Sequence, residues 1–153
     1  MSIAYLIAFD NELVKTKYYY TDILQSKKNV FSNQDGILFD INLLPQEKQI
    51  ADKLMQGRVV YSIRSSVPLE RNQRDSECVD EKYYLCEKEQ LCWLKNFLCE
   101  HIADDEDCLF VQTSLGHPIN YAEILSQQVD VKSILITDDF AFEPNLIYQF
   151  VNN

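Results

Sequence analysis

Five cysteines, two histidines and several groups of acids are the residues of this chain with chemistry to offer. The cysteines all lie between Cys78 and Cys108, at successive spacings of 8, 6, 7 and 9 residues. A zinc site asks for ligands two to four residues apart, twice over, and no cysteine pair here meets that requirement. His101 follows Cys99 by two residues, which is not a zinc spacing either. The three glycines of the chain are too few for loops that cradle phosphates. The expectation is a protein with no metal and no cofactor, whose odd number of thiols stays reduced.

The cysteine-rich stretch reads instead as a helix over 81–103. At 100° per residue, Tyr83, Cys86, Leu91, Trp93, Leu94, Phe97, Leu98 and His101 share one broad face. Glu81, Lys82, Lys88, Glu89, Lys95 and Glu100 share the other. Cysteine serves here as a small apolar filler. Cys92 and Cys99 fall on the polar side, seven residues apart, which is roughly 10 Å along a helix and beyond disulfide reach. Lys88 and Lys95 flank Cys92 in the sequence, an arrangement that activates thiols in general, so Cys92 is the one candidate for reactivity. His117 lies in "SLGHP", three residues after Ser114, without the glycine-flanked serine of hydrolases. It reads as a turn residue, and His101 as a histidine at the edge of the core.

The acids are unevenly placed. Residues 1–76 carry ten Lys/Arg and nine Asp/Glu, whereas residues 77–153 carry four Lys and fifteen Asp/Glu. The whole net charge of −10 therefore comes from the second half. Such a chain is repelled by nucleic acid and by anionic lipid and attracts a basic partner. Asp104, Asp105, Glu106 and Asp107 form an unbroken acidic run just after the long helix. It lacks the alternation and central glycine of a calcium loop. Negative charge at a helix C-terminus opposes the macrodipole, at a cost of about 0.3–1 kcal/mol per charge. Asp138, Asp139 and Glu143 form a second group beside Phe140 and Phe142. Acids that orient and aromatics that anchor are the make-up of a protein-binding hot spot. Tyr18 and Tyr19 lie off the core face of the helix expected over 10–28 and are further contact candidates.

The elements that must position these residues follow from the apolar pattern. "SIAYLIAF" (2–9) reads as a buried strand. Asp35-Gly36 marks a turn between two apolar runs. "LPQEKQIADKLMQG" reads as a helix, with Pro45 near its start and Gly57 past its end. "RVVYSIRSSV" (58–67) reads as a strand and 68–77 as the main loop. "CLFVQTSL" (108–115), "VKSILIT" (131–137) and "NLIYQFV" (145–151) read as strands, and "INYAEILSQQ" as a short helix or a strand. At 153 residues, with 46% apolar residues, this is one domain over 1–153, large enough for its own core. The fold class is α+β, a mixed or mostly antiparallel sheet packed against two to three helices. No stretch approaches the ~18 apolar residues of a membrane span, and Ile3–Phe9 is too short for a signal sequence, so a cytoplasmic protein is expected.

Two resemblances bear on function. "LIAFDNEL" resembles the opening motif of haloacid-dehalogenase-type phosphatases, with Asp10 at the place of the nucleophile. Glu12 stands where that family has a second Asp, and the family's usual glycine and threonine are lacking. The resemblance implies a metal-assisted hydrolase using Asp10, Glu12 and Asp138 or Asp139 of "ILITDD". In size, charge and lack of a catalytic motif, the chain as a whole resembles the immunity proteins that bacteria make against nuclease toxins, including those of contact-dependent inhibition. That resemblance implies a non-enzymatic antidote. Its carboxylates, here Asp104 to Asp107, Asp138, Asp139 and Glu143, would meet the basic active site of a toxin. Phe142, Tyr18 and Tyr19 would serve as anchors. This second reading is the one preferred.

Overall fold

The computed structural model describes residues 3–13, 31–32, 37–65, 69, 81–102, 106–137 and 140–152. Strand β1 (Ile3–Phe9) is apolar at every position, and all of it after Ile3 is buried. A strand with no polar face has to be paired on both edges and covered on both sides. It is paired antiparallel with β4 (Val59–Ser65) on one edge, Tyr5 opposite Ile63, and with β5 (Asp107–Ser114) on the other, Ile7 opposite Phe110.

The remaining strands extend this centre outwards. β2 (Phe31–Ser32) and β3 (Ile37–Asp40) pair antiparallel, and the turn expected at Asp35-Gly36 lies outside the described residues. β6 (Leu125–Asp130) and β7 (Leu146–Val151) complete a seven-stranded sheet of order β2-β3-β4-β1-β5-β7-β6. Among the described strands only β6 and β7 run parallel, so the sheet is mixed and mostly antiparallel.

Period-two alternation divides the core between the two faces. Tyr5, Ile7 and Phe9 pack with Tyr61, Phe110 and Phe150 beneath Leu91, Leu94, Phe97 and Leu98 of helix α2 (Glu81–His101). Leu6 and Ala8 point the other way and meet Ile50 and Met55, on and just beyond helix α1 (Pro45–Leu54). The two helices thus cover opposite sides, and the arrangement is α+β. α1 begins with proline at its first position, and Gly57 beyond its end takes φ +77°, as the sequence suggested. His101 sits at the edge of the core, 4.5 Å from Phe9 and 5.5 Å from Phe97, ring centroid to ring centroid.

The expected strand over 131–137 is a correction. Val131–Ser133 forms a 3-10 turn, because the Asp130 side chain accepts a hydrogen bond from the Lys132 amide at 3.1 Å and turns the backbone aside. The strand lies one step earlier, at β6. "INYAEILSQQ" contains both of the forms open to it: a 3-10 turn at Tyr121–Glu123, capped by Asn120, then the first residues of β6. The helix expected over 10–28 lies outside the described residues beyond Leu13, and so does the loop over 68–77 apart from Leu69. Leu69 is fully buried, and its amide donates to the Tyr5 hydroxyl at 3.4 Å.

Phe110 has no exposed surface and lies 4.4 Å from Phe142 and 5.9 Å from Phe150, ring centroid to ring centroid. Phe110→Ala should therefore cost about 3–5 kcal/mol of unfolding free energy in urea denaturation. A loss below about 1 kcal/mol would contradict this packing.

Candidate functional site

The acidic run after α2 is divided by the sheet. Glu106 is exposed, whereas Asp107, the first residue of β5, turns inward. On the face of the sheet that it shares with Leu109, Asp107 meets Arg58, whose Nη2 lies 2.7 Å from Asp107 Oδ1. Gln149, opposite Leu109 on β7, donates to the other carboxylate oxygen. Burial alone would raise the Asp107 pKa. The Gln149 hydrogen bond, then the hydrogen bond and charge of Arg58, outweigh burial and hold it below the ordinary carboxylate value. The side chain expected to face a partner is an internal ion-pair member, 19% exposed. Asp104 and Asp105 lie outside the described residues.

The second acidic group is divided as well. Glu143 is exposed, and its amide donates to the Tyr148 hydroxyl at 2.7 Å. Phe142, expected as an anchor, is 7% exposed and belongs to the core, with Phe110, Tyr148 and Phe150 around it. A ring that fills the sheet face beside α2 is not presented to a partner. Asp138, Asp139, Tyr18 and Tyr19 lie outside the described residues. The ladder sets Asp107 against Val151, whereas the Asn145 amide bonds to Gln112 O, so Glu106 and Glu143 approach the β5–β7 pair from different ends. The two groups are not one continuous patch on that ladder.

Asp10 lies 3.5 Å from Arg58, so the residue at the place of a phosphatase nucleophile shares that guanidinium with Asp107. Glu12 is exposed. Among the described residues, no three His, Cys, Asp or Glu side chains are grouped so as to hold a metal ion. Cys108 is fully buried, and that burial pushes its thiol well above its usual pKa, the mark of an inert cysteine. Cys92 is half-buried, and Lys95, expected beside it, donates to Ile134 O at 2.6 Å. Ser114 and His117 both line a small pocket of about 230 Å³, with Glu123 and Asn145. Asn145 there adopts φ +58° and accepts from the Thr113 hydroxyl at 2.7 Å.

A buried polar network on the α1 side was not foreseen. Asp40 and Glu47 are 0% and 1% exposed, and Arg64 bridges them with contacts of 3.3 Å to each. The Ser62 hydroxyl donates to Glu47 at 2.6 Å, and the Asn42 amide to Asp40 at 2.9 Å. Glu47 also accepts from the Leu44 amide at 2.8 Å, the half of a capping box that leucine, with no polar side-chain atom, leaves possible. Two signals in the sequence point to it: an Asp closing the apolar run "ILFD", and a Glu two residues after the helix-starting proline. An open cleft of about 750 Å³ lies beside it, lined in part by Asn42, Lys48, Asp52, Met55 and Arg58.

Known protein families, curated proteins and solved structures contain no match to this chain. No helix among the described residues is long and apolar enough to cross a membrane.

Two predictions follow from these ion pairs. Removing a partner from a buried pair costs about 3–5 kcal/mol, and the one-third exposure of Arg64 trims this to about 2–4 kcal/mol for Arg64→Met, read by urea denaturation. A neutral result would mean that solvent already satisfies both carboxylates. For Asp107 the folded pKa is lower than the unfolded one, so the unfolded chain binds the proton first as pH falls. The stabilisation is complete above the unfolded value, about pH 4, and disappears as pH drops through the folded value. The stability difference between wild type and Asp107→Asn should shrink below about pH 4. A difference independent of pH would remove the ion pair from the account.

Proposed function

We propose that this chain is a non-enzymatic binding protein that neutralises a basic protein partner. In its sharpest form, it is a cytoplasmic immunity protein that covers the active site of a nuclease toxin. The observation that carries the reading is the fate of the charges. Arg58, just before β4, and Arg64, on it, are paired within the chain to Asp107, Asp10, Asp40 and Glu47. In the second half of the chain, Glu89, Glu100, Glu106, Glu123 and Glu143 are exposed, and none forms an ion pair among the described residues. Among the described residues, the fold thus neutralises the acids it buries and leaves these five of the second half open to water.

Such a surface suits a partner rich in lysine and arginine, as an enzyme that grips phosphates must be. Opposite fields steer encounter, raising association rates from about 10⁵–10⁶ toward 10⁸–10⁹ M⁻¹s⁻¹ at low salt. Glu106 and Glu143 are the described members of the two acidic groups and the first positions to test.

An antidote of this kind implies a nuclease toxin domain encoded beside this chain, and that domain is the partner for the test. Glu106→Lys with Glu143→Lys should slow its association at low salt by at least about tenfold and weaken protection of cells expressing the toxin. Asp52→Lys, an exposed change on α1 in the near-neutral half, should do neither. If the double variant protects and associates like wild type, or if Asp52→Lys is equally damaging, the acidic half is not the binding surface.

A further inference from the structure

β6 is the last strand on its side of the sheet, and among the described residues nothing pairs with its far edge. Leu125, Ser126, Gln127 and Gln128 are all exposed, so both faces of the strand, as well as that edge, stand in water. Its neighbour is β7, in parallel register from Leu125 opposite Leu146 to Asp130 opposite Val151. In a parallel pair, alternate residues turn their N–H and C=O groups away from the neighbour, which leaves a row of outward donors and acceptors. Edge strands are commonly blunted by lysine, proline or a bulge. Residues 124–129, Ile-Leu-Ser-Gln-Gln-Val, carry no charge and no proline.

We propose that β6 is a docking strand for a second copy of this chain, paired antiparallel about Gln127. In two identical strands the outward-turned residues are the same alternate positions, so opposed positions must sum to an even number. Centring the pair on Gln127 sets Gln127 against itself and Ser126 against Gln128 of the second copy. It also sets Leu125 against Val129 of the second copy, twice over by symmetry. Leu125, 71% exposed, thereby gains an apolar cross-strand partner. Centring on Gln128 instead would point Leu125 at Val131, which is already fully buried. The stripe Leu125, Gln127, Val129 is thus self-complementary in one register.

Charge selects the same place. Two copies of net charge −10 repel each other over most of their surface. Along β6 the Gln127-centred pair opposes no two carboxylates: Asp130 falls opposite Ile124 of the second copy and is held by its own Lys132 amide. A neutral strip in an acidic protein is where self-association meets least resistance. This inference does not depend on the identity of any basic partner.

The experiment is sedimentation velocity on the full chain from micromolar to near-millimolar concentration, with two substitutions at the symmetry centre. Wild type should show a concentration-dependent monomer–dimer equilibrium. Gln127→Lys, which opposes two like charges, should weaken it by at least about tenfold with an unchanged circular dichroism spectrum. Gln127→Cys should form a disulfide dimer that peptide mapping places at residue 127, since directly opposed Cβ atoms sit about 4.5–5.5 Å apart, close to disulfide reach. Gln128→Cys, diagonal to its own copy, should not. Wild type that stays monomeric throughout would overturn the proposal and leave the edge to a strand of another protein. A dimer indifferent to Gln127→Lys, or one that Gln128→Cys crosslinks equally well, would overturn it too.

Discussion

Six consecutive residues, Ala4 to Phe9, are buried, and a strand so placed can exist only where both edges are paired and both faces are covered. Each large side chain hidden there contributes about 1.5–3 kcal/mol. The rest of the molecule is arranged around that demand. β4 and β5 supply the edges, α2 closes over Tyr5, Ile7 and Phe9, and α1 lies on the side of Leu6 and Ala8. A one-residue slip of β1 would exchange the two sets, and they are not interchangeable: aromatic rings pack on the α2 side, smaller side chains on the other.

Covering the second face brings polar groups inside, and these set the electrostatics of the whole. Ser62, Arg64 and Asp40 alternate toward α1, where Glu47 meets them. Buried carboxylates need a cation or donors, or they must take up a proton. Arg64 answers two of them, and Arg58 answers Asp107 with Asp10 at its rim. Commitment of both guanidiniums to these carboxylates leaves neither as a free surface cation. Among the described residues, Glu89, Glu100, Glu106, Glu123 and Glu143 of the second half stay exposed, and the proposed function rests on that consequence of folding.

Much of the architecture was legible because it is written in short periods. The all-apolar run of β1, the Pro45 and Gly57 brackets of α1 and the helical repeat of Leu91, Leu94, Phe97 and Leu98 each announce an element locally. The failures are instructive. The apolar run of "VKSILIT" has strand propensity, but one Asp130 hydrogen bond diverts its start, whereas "LSQQVD", whose first residues are open to helix or strand, becomes β6 because β7 offers hydrogen bonds. Adjacent acids looked equivalent in sequence, yet strand alternation sends Glu106 outward and Asp107 to Arg58. Phe142 reads as an anchor from its acidic neighbours, whereas its contacts, Phe110 and Phe150, lie 32 and 8 positions away in a sequence that does not display them together.

The central claim is that an open negative field on residues 77–153 recruits a cationic protein. The most direct measurement is the association rate constant with the toxin domain that the proposal expects beside this chain, followed by stopped flow across a series of ionic strengths. The account expects a steep fall as the Debye length shortens from about 30 Å at 0.01 M to about 3 Å at 1 M, with a dissociation rate that changes far less. An association rate that is flat across that range would contradict it.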